Sequence, residues 1–535
     1  MATDTATGSA GNTASYRWAW IAAAVVAVST GVAGGAAVWH WMHILTNVGF
    51  AHSFDTMLYA RGLWGLGHGE PFNPIAGTHT LAIHGHFGLW LLAPLTTSFR
   101  AVDVLDAVQG ASLGAALTVS TAAAAARVRA LVTPPAMVAW TIFFAICLLA
   151  TPLTLNPFLF GSRPDCMGIP LLLAGAMLTH WRGLWHPLPL TLLAAGVAMR
   201  EEYAMTVIGL ALVCPVWSQT RPVCGSVAAS PPADDLADLD ARAQLAGRQF
   251  RDWRSRLPEW WRRVAVVLVC LLWWALYWLV VREWLGGPWA AERVAGAADT
   301  LLGGPRWLRD FGRAWTFKLE ILCVCLGYAG VAQLSGRRLV AMLPGLLFLL
   351  VMNRMAECVL TFHYSFFVLP ACVWCAVEGL VRLVQLRRRW RVVIASLALV
   401  VSVGTGWWSA SAPWGKRYEP VFWQADSEYR VHASDALPVL ACLPPEAAVV
   451  VPYEHGASVA DRAWLARTDL WVRGRAVEHD WQWVVLMTGP QLRTAIENDR
   501  LAGLDRVSQF GRLVVYAAGE AVDREVRACL RALNP

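Results

Sequence analysis

The chain has 535 residues, of which 57% are hydrophobic and 15% charged, with 30 tryptophans and a mean hydropathy of +0.45. Most of it cannot form the surface of a soluble protein. The formal charge of +7 sits mainly on loop arginines, with Lys318 and Lys416 the only lysines among 44 basic residues; this gives no footprint for nucleic acid.

Apolar runs of about 14 to 24 residues recur over residues 1–410, and a bilayer core takes about 20 residues of helix. The first run, about residues 17–40, is too long for a secretory signal and lacks a clear cleavage site, so it is expected to persist as the first span. A polar loop over 41–86 follows. The next apolar stretch, 87–99, has 13 residues and contains Pro94, which predicts a dipping helix, whereas 104–126 predicts a full crossing.

Loop charge then orients the chain. Arg127, Arg129, Arg182, the segment 218–263, Arg337, Arg338 and the run Arg387, Arg388, Arg389 and Arg391 mark the cytoplasmic side. The segment 218–263 reads as an acidic linker with Asp234, Asp235, Asp238 and Asp240, followed by a Trp/Arg interfacial helix over 248–263. On the opposite face fall 41–86, 153–165, 200–202, 282–313, 354–362 and everything beyond about 410. Glu378 lies inside an apolar run and is expected to be paired within the bundle.

Residues 411–535 change character. Strand-like runs at 447–451, 483–487 and 513–517 alternate with helical runs near 427–441, 490–501 and 522–533, with Phe510-Gly511-Arg512 as a hairpin turn. The expected fold is thus an all-α polytopic membrane bundle of about 11 spans plus a short dipping helix, with a small C-terminal α/β extracytoplasmic domain. Cys442 and Cys529 are the two cysteines of that domain and can form a disulfide if it lies outside the cytoplasm. The other cysteines show no metal-site spacing.

Polar residues without a structural reason mark the candidate site. Asp55 fits an N-cap of a short helix ending near Gly67, and equally a general base or cation ligand. His84 and His86 project to one side if 83–87 is extended, and Trp64 suits an interfacial belt or a groove border. Arg163 and Asp165 form one charged turn, and Arg200, Glu201 and Glu202 form another; a charge at the centre of a span costs about 2.5–3.5 kcal/mol, so such turns face water or a polar cavity. Tyr364 begins a later span, where tyrosine serves as interface anchor or ligand contact.

The same positions carry a family resemblance. Phe54-Asp55, then Trp64, His68-Gly69, and His86-Phe87 before an apolar run ending at Ala93-Pro94, resemble domain of unknown function 2079, a family of bacterial membrane proteins. In the same order, Arg163-Pro164-Asp165 resembles that family's His-Pro-Glu turn, Arg200-Glu201-Glu202 its basic-acid-acid turn, and His363-Tyr364-Ser365 its His-Tyr motif. Pro452 to Arg467, with Asp461-Arg462, is similar to the stretch before the last strands of its terminal domain. Gly85 stands where the family usually has an acid.

That family is distantly similar to the C-fold membrane glycosyltransferases, which draw sugars from polyprenyl-phosphate carriers. The resemblance implies transfer of a sugar to an extracytoplasmic acceptor at a bacterial inner membrane, with the N-terminus cytoplasmic. Asp55 would be the base, and Trp64, His84, His86, Arg163, Arg200 and Tyr364 would bind substrate. Asp165 and Glu201 are the candidate ligands of a Mg or Mn ion. The rival is a transporter or flippase, which predicts broken helices, midplane charges and repeated halves; the chain has no internal repeat and its charges cluster at one face.

Overall fold

The computed structural model describes residues 7–47, 54–159, 161–214, 258–286, 315–351, 363–408, 436–519 and 524–533. The acidic linker, residues 248–257 of the 248–263 stretch, most of 282–313 and all of 354–362 lie outside the described residues, as do the side chains of His363 and Tyr364.

Six helices among the described residues are long and apolar enough to cross a bilayer: Ser15–Thr46, Ala101–Val128, Glu259–Leu285, Ala332–Leu350, Ser365–Gln385 and Arg388–Gly406. A seventh is added if Pro134–Ala150 and Pro152–Leu159, bent by 76°, form one span. The bend follows from the sequence: Pro152 cannot donate a backbone hydrogen bond and drives Thr151 into an extended conformation (φ −82°, ψ 122°). Two further apolar helices, Pro187–Met199 and Tyr203–Val213, have 13 and 11 residues, short of the roughly 20 that a crossing needs.

Ser365–Gln385 is the central helix, 89% buried, whereas Glu259–Leu285 and Arg388–Gly406 are 17% buried and present apolar side chains outward. The first helix reaches Asn47 rather than ending near residue 40, because Trp41, Met42, Ile44 and Leu45 prolong its apolar run; the polar loop begins after it. It packs on Ala101–Val128 through Gly31 and Gly35 against Gly110 and Gly114, a small-residue seam on each helix. The approach is close enough that a Cβ at Gly35 would lie 2.6 Å from the Gly110 carbonyl.

Residues 87–99 fold into the single turn Leu89–Leu92 and a 3-10 turn Ala93–Thr97, too short to cross a core of about 30 Å. Trp90, Leu91, Leu95 and Phe99 are exposed, as suits a segment resting at a membrane face.

Two polar clusters sit near opposite ends of Ala101–Val128. At its end, Arg127 donates to Glu378 at 2.9 Å, and His180 Nε2 and Arg338 meet the same carboxylate. Near its start, buried Asp106 accepts from Thr46 at 2.8 Å and from Ser162. Asp106 and Arg127 are separated by about 32 Å of helix.

The C-terminal region forms a mixed five-stranded sheet in the order Leu465–Arg467, Val449–Val451, Trp483–Met487, Leu513–Ala518, Leu504–Phe510. The first three strands are parallel (Val449↔Leu465, Val449↔Trp483) and the rest antiparallel (Met487↔Leu513, Phe510↔Leu513). Gly511, with φ +51°, supplies the left-handed residue of the final hairpin. A disulfide joins Cys442 to Cys529 with Cα atoms 5.7 Å apart, tying helix Arg524–Leu533 to the start of the domain.

This domain rests on the polar-loop helix Phe54–Gly67. Buried Met57, Leu58 and Leu63 join Val439, Val449 and Leu465 in one apolar cluster. Arg61 donates to the Ala463 carbonyl at 2.7 Å, and Asp461 accepts from the Ala101 amide at 3.2 Å, helping to close the N-terminus of the adjoining span.

Candidate functional site

Four chain turns meet beneath the terminal domain. Helix Phe54–Gly67 places Asp55 in its first turn, where a carboxylate is favoured by the helix dipole. Arg163 precedes the 3-10 turn Pro164–Met167 and is fixed from below: its amide donates to Gln109 Oε1 at 3.2 Å, and the Gln109 amide group donates to the Phe158 and Gly161 carbonyls at 2.8 and 2.9 Å. Arg200 and Glu201 lie in the break between the short helices ending at Met199 and beginning at Tyr203. His84 terminates the turn Thr80–Ile83 in an extended conformation.

The side chains form one ionic chain. Asp55 pairs with Arg163; Arg163 Nη1 lies 3.8 Å from Asp165; Asp165 pairs with Arg200; Arg200 Nε donates to Glu202 at 2.8 Å. Glu202 Oε1 lies 3.7 Å from His84 Nδ1, which is 2.8 Å from Glu201 Oε1. Glu201 Oε2 in turn accepts from the Gly85 amide at 2.9 Å. Every member but Asp55 is buried; the Asp55 side chain keeps 14% of its exposure, and that of His84, toward the other end of the chain, 11%.

Burial by itself opposes ionisation of Asp165, yet the guanidiniums of Arg200 and Arg163 outweigh it and hold the carboxyl well below its usual range. For His86 burial outweighs the attraction of the Asp165 and Glu201 carboxylates. Burial pushes its imidazole down to about 3, so the ring is neutral, and neither nitrogen has a hydrogen-bond partner among the described residues. Its ring meets Tyr59 edge-on at 4.9 Å and lies 5.3 Å from that of His84.

Of the residues singled out in the sequence, Asp55, His84, His86, Arg163, Asp165, Arg200 and Glu201 are brought together. Trp64 is not. It stacks on His68 at 4.2 Å and under Arg61 at 4.9 Å, on the stretch of helix facing Glu70 and the terminal domain. Tyr364 lies in the 3-10 turn His363–Phe367, with its side chain outside the described ones.

Three contributors escaped the sequence reading. Tyr59, four residues after Asp55 and so on the same helix face, lies under the Arg163 guanidinium at 5.4 Å. Tyr203 donates to the Asp165 carbonyl and Tyr277 to the Leu81 carbonyl, both at 2.8 Å, which fixes the turns carrying Asp165 and His84. Asp106 and Gln109 carried a legible signal, two polar residues three apart on one face of an apolar helix.

Fold and site together define a membrane-embedded helical protein with a buried ionic centre under an α/β domain. The chain belongs to the family described as predicted membrane protein (DUF2079), whose family model matches residues 50–518. No curated protein matches it in sequence. It is similar to a solved structure of ArnT from Cupriavidus metallidurans bound to undecaprenyl phosphate, at 13% identity over 93% of this chain and 98% of that one, with a TM-score of 0.43.

Proposed function

We propose that this chain is a membrane glycosyltransferase of the C-fold type, moving a sugar from a polyprenyl-phosphate donor to an acceptor on the extracytoplasmic face of a bacterial inner membrane. The observation that carries the reading is the ionic chain running from partly open Asp55 to buried Glu201. A transfer of this kind needs a base beside the acceptor hydroxyl and fixed positive charge where a phosphate leaves. Asp55 takes the acceptor proton as the acceptor oxygen bonds to the anomeric carbon. The bond from that carbon to the phosphate oxygen breaks, and the electron pair departs on the lipid phosphate. Arg163, which holds Asp55, and Arg200, one carboxylate deeper, supply the countercharge.

In this reading the membrane domain crosses eleven times, with the short helices Pro187–Met199 and Tyr203–Val213 counted as thin spans, the N-terminus cytoplasmic and the terminal domain outside. Convergence of Arg127 and Arg338 on Glu378, about one bilayer thickness along the helix from Asp106, supports that orientation. So does the Cys442–Cys529 disulfide, which suits an oxidising compartment.

The test is Asp55→Asn, which preserves shape and removes the base. The variant should insert and fold as the parent does while the cell's lipid-linked sugars accumulate and the corresponding surface glycan disappears. Unchanged glycans in cells that make the variant at parental levels would refute the assignment.

A further inference from the structure

We propose that His84, Glu201 and Glu202 bind one divalent transition-metal ion of the zinc class, with a coordination position left for a non-protein oxygen. One ligand atom from each of the three buried side chains lies within 4.8 Å of the other two. The orientation of the carboxylates is specific. Glu201 turns Oε2 to the Gly85 amide at 2.9 Å, and Glu202 turns Oε2 to Arg200 Nε at 2.8 Å. Each has its other oxygen, Oε1, toward His84 Nδ1, at 2.8 and 3.7 Å respectively, and the Oε1 of Glu202 also receives Arg200 Nη2 at 3.4 Å. Outer oxygens held by donors and inner oxygens converging on one imidazole nitrogen is how a protein orients metal ligands from behind.

A hydrogen bond accounts for only half of this arrangement. A proton on His84 Nδ1 satisfies Glu201 Oε1, whereas Glu202 Oε1 lies 3.7 Å from that nitrogen and takes only a long contact of 3.4 Å from Arg200 Nη2. A dication at the centre binds both carboxylates and takes the nitrogen lone pair. Charge points the same way: in the ionic chain, Asp55, Asp165, Glu201 and Glu202 face Arg163 and Arg200, and buried carboxylates are retained when paired or coordinating metal.

A second observation is His86. It is 1% exposed, with its ring 5.3 Å from that of His84 and neither nitrogen partnered among the described residues. A buried imidazole beside the three ligands, with neither nitrogen partnered among the described residues, is available as a fourth ligand or as a hydrogen-bond partner of an oxygen bound there. One imidazole with two carboxylates and an open position is a zinc-type donor set, since Mg²⁺ and Ca²⁺ favour all-oxygen shells. Asp165 meets both arginines through Oδ2 and lies outside the set of three ligands. If the chain transfers sugars as proposed above, the oxygen at the open position belongs to the donor phosphate; the site itself does not depend on that reading.

The experiment uses the full-length protein in nanodiscs. After chelation and dialysis against Zn²⁺, metal is counted by mass spectrometry, and Co²⁺ is added to a second portion to record its d–d absorption. The parent should hold about one ion per chain and give the intense spectrum of a low-coordinate Co²⁺ site. Glu201→Gln and His84→Ala should lower occupancy at least about tenfold at the same free Zn²⁺, whereas His68→Ala, on the exposed side of the loop helix, should keep it. A parent that takes up neither Zn²⁺ nor Co²⁺, or folded His84→Ala and Glu201→Gln proteins with parental occupancy, would overturn the site. Ion binding with no effect of Asp55→Asn on glycans would leave the metal site standing and remove the transferase reading instead.

Discussion

Replacing Arg200 with Met should destabilise the protein by more than any other single change in the ionic chain. Arg200 is 1% exposed and bridges two buried carboxylates, pairing with Asp165 and donating to Glu202 at 2.8 Å. Without it Asp165 keeps only Arg163, at 3.8 Å, and Glu202 keeps only the His84 contact at 3.7 Å. Removing one partner of a buried pair costs about 3–5 kcal/mol, because the remaining charge stays buried without compensation. In a chain of this size such a loss corresponds to a fall of about 3–5 °C in the unfolding midpoint. The assay is thermal unfolding in one detergent for the parent, Arg200→Met, Asp165→Asn and the double variant. Because neutralising Asp165 removes the orphaned charge, the double variant should recover part of the loss, with a coupling of about 1–3 kcal/mol. Arg200→Lys keeps a charge but cannot span two carboxylates, and should fall between parent and Met. An Arg200→Met midpoint within about 1 °C of the parent, or strictly additive effects of the two single changes, would refute the account of the ionic chain as a buried, mutually compensating network.

The disulfide closes a separation of 87 residues, for which chain entropy sets a ceiling of about 4–5 kcal/mol; Cys442→Ser should therefore expose helix Arg524–Leu533 to limited proteolysis, and a parental digestion pattern would contradict this. Gly35→Leu should disrupt the seam with Gly110 and lower the unfolding midpoint, whereas Gly404→Leu, with open space around its Cβ position, should not; equal midpoints for the two variants would argue against the seam. His79 caps the turn Thr80–Ile83 by accepting from the Leu81 amide at 3.1 Å, and burial lowers its imidazole below 6.5. The folded state thus binds fewer protons than the unfolded one just below that value, so the cap is fully present above pH 6.5 and weakens as pH falls through it. Hydrogen exchange at Leu81, corrected for intrinsic rates, should be faster at about pH 5.5 than at about pH 7.5, and His79→Asn should remove the difference; equal protection at both pH values in the parent would sink the idea.

How much of this was legible in the sequence depends on the range of the interaction concerned. Asp55, Arg163, Asp165, Arg200 and Glu201 could be picked out one by one, because charge at the end of an apolar run has a cost that composition alone exposes. Their order in the chain of pairs could not. Asp55 and Arg163 are 108 residues apart and His84 and Glu201 117, and no local pattern links such positions. Trp64 shows the same limit: an aromatic at a membrane face fits a belt, a groove or an ion-stacking contact, and only tertiary packing puts it under Arg61. Tyr203 and Tyr277 sit in apolar helices and read as core until their hydroxyls find the Asp165 and Leu81 carbonyls. In the terminal region the five-residue strand Trp483–Met487 was plain, while Leu465–Arg467, three residues long, is too short for alternation to register.

The span Ala101–Val128 shows how the two scales join. Its start carries the groups that hold the site: Ala101, whose amide reaches Asp461 of the terminal domain; Asp106, which binds the Ser162 hydroxyl; and Gln109, which accepts from the Arg163 amide. Its end carries Arg127, locked onto Glu378 of the central helix. Between them, Leu113, Ala116 and Leu117 face the packed interior, and Gly110 and Gly114 admit the first span at close range. A helix that must be apolar to cross the bilayer is thereby given fixed polar anchors at both ends. The depth of the Arg163 turn is set by a rigid rod, and mobile loops play no part in that placement. Pre-organised charge of this kind costs no reorganisation when a reacting group develops charge beside it. The ionic chain under the terminal domain is built on such a rod, which fixes the positions of its charges relative to one another.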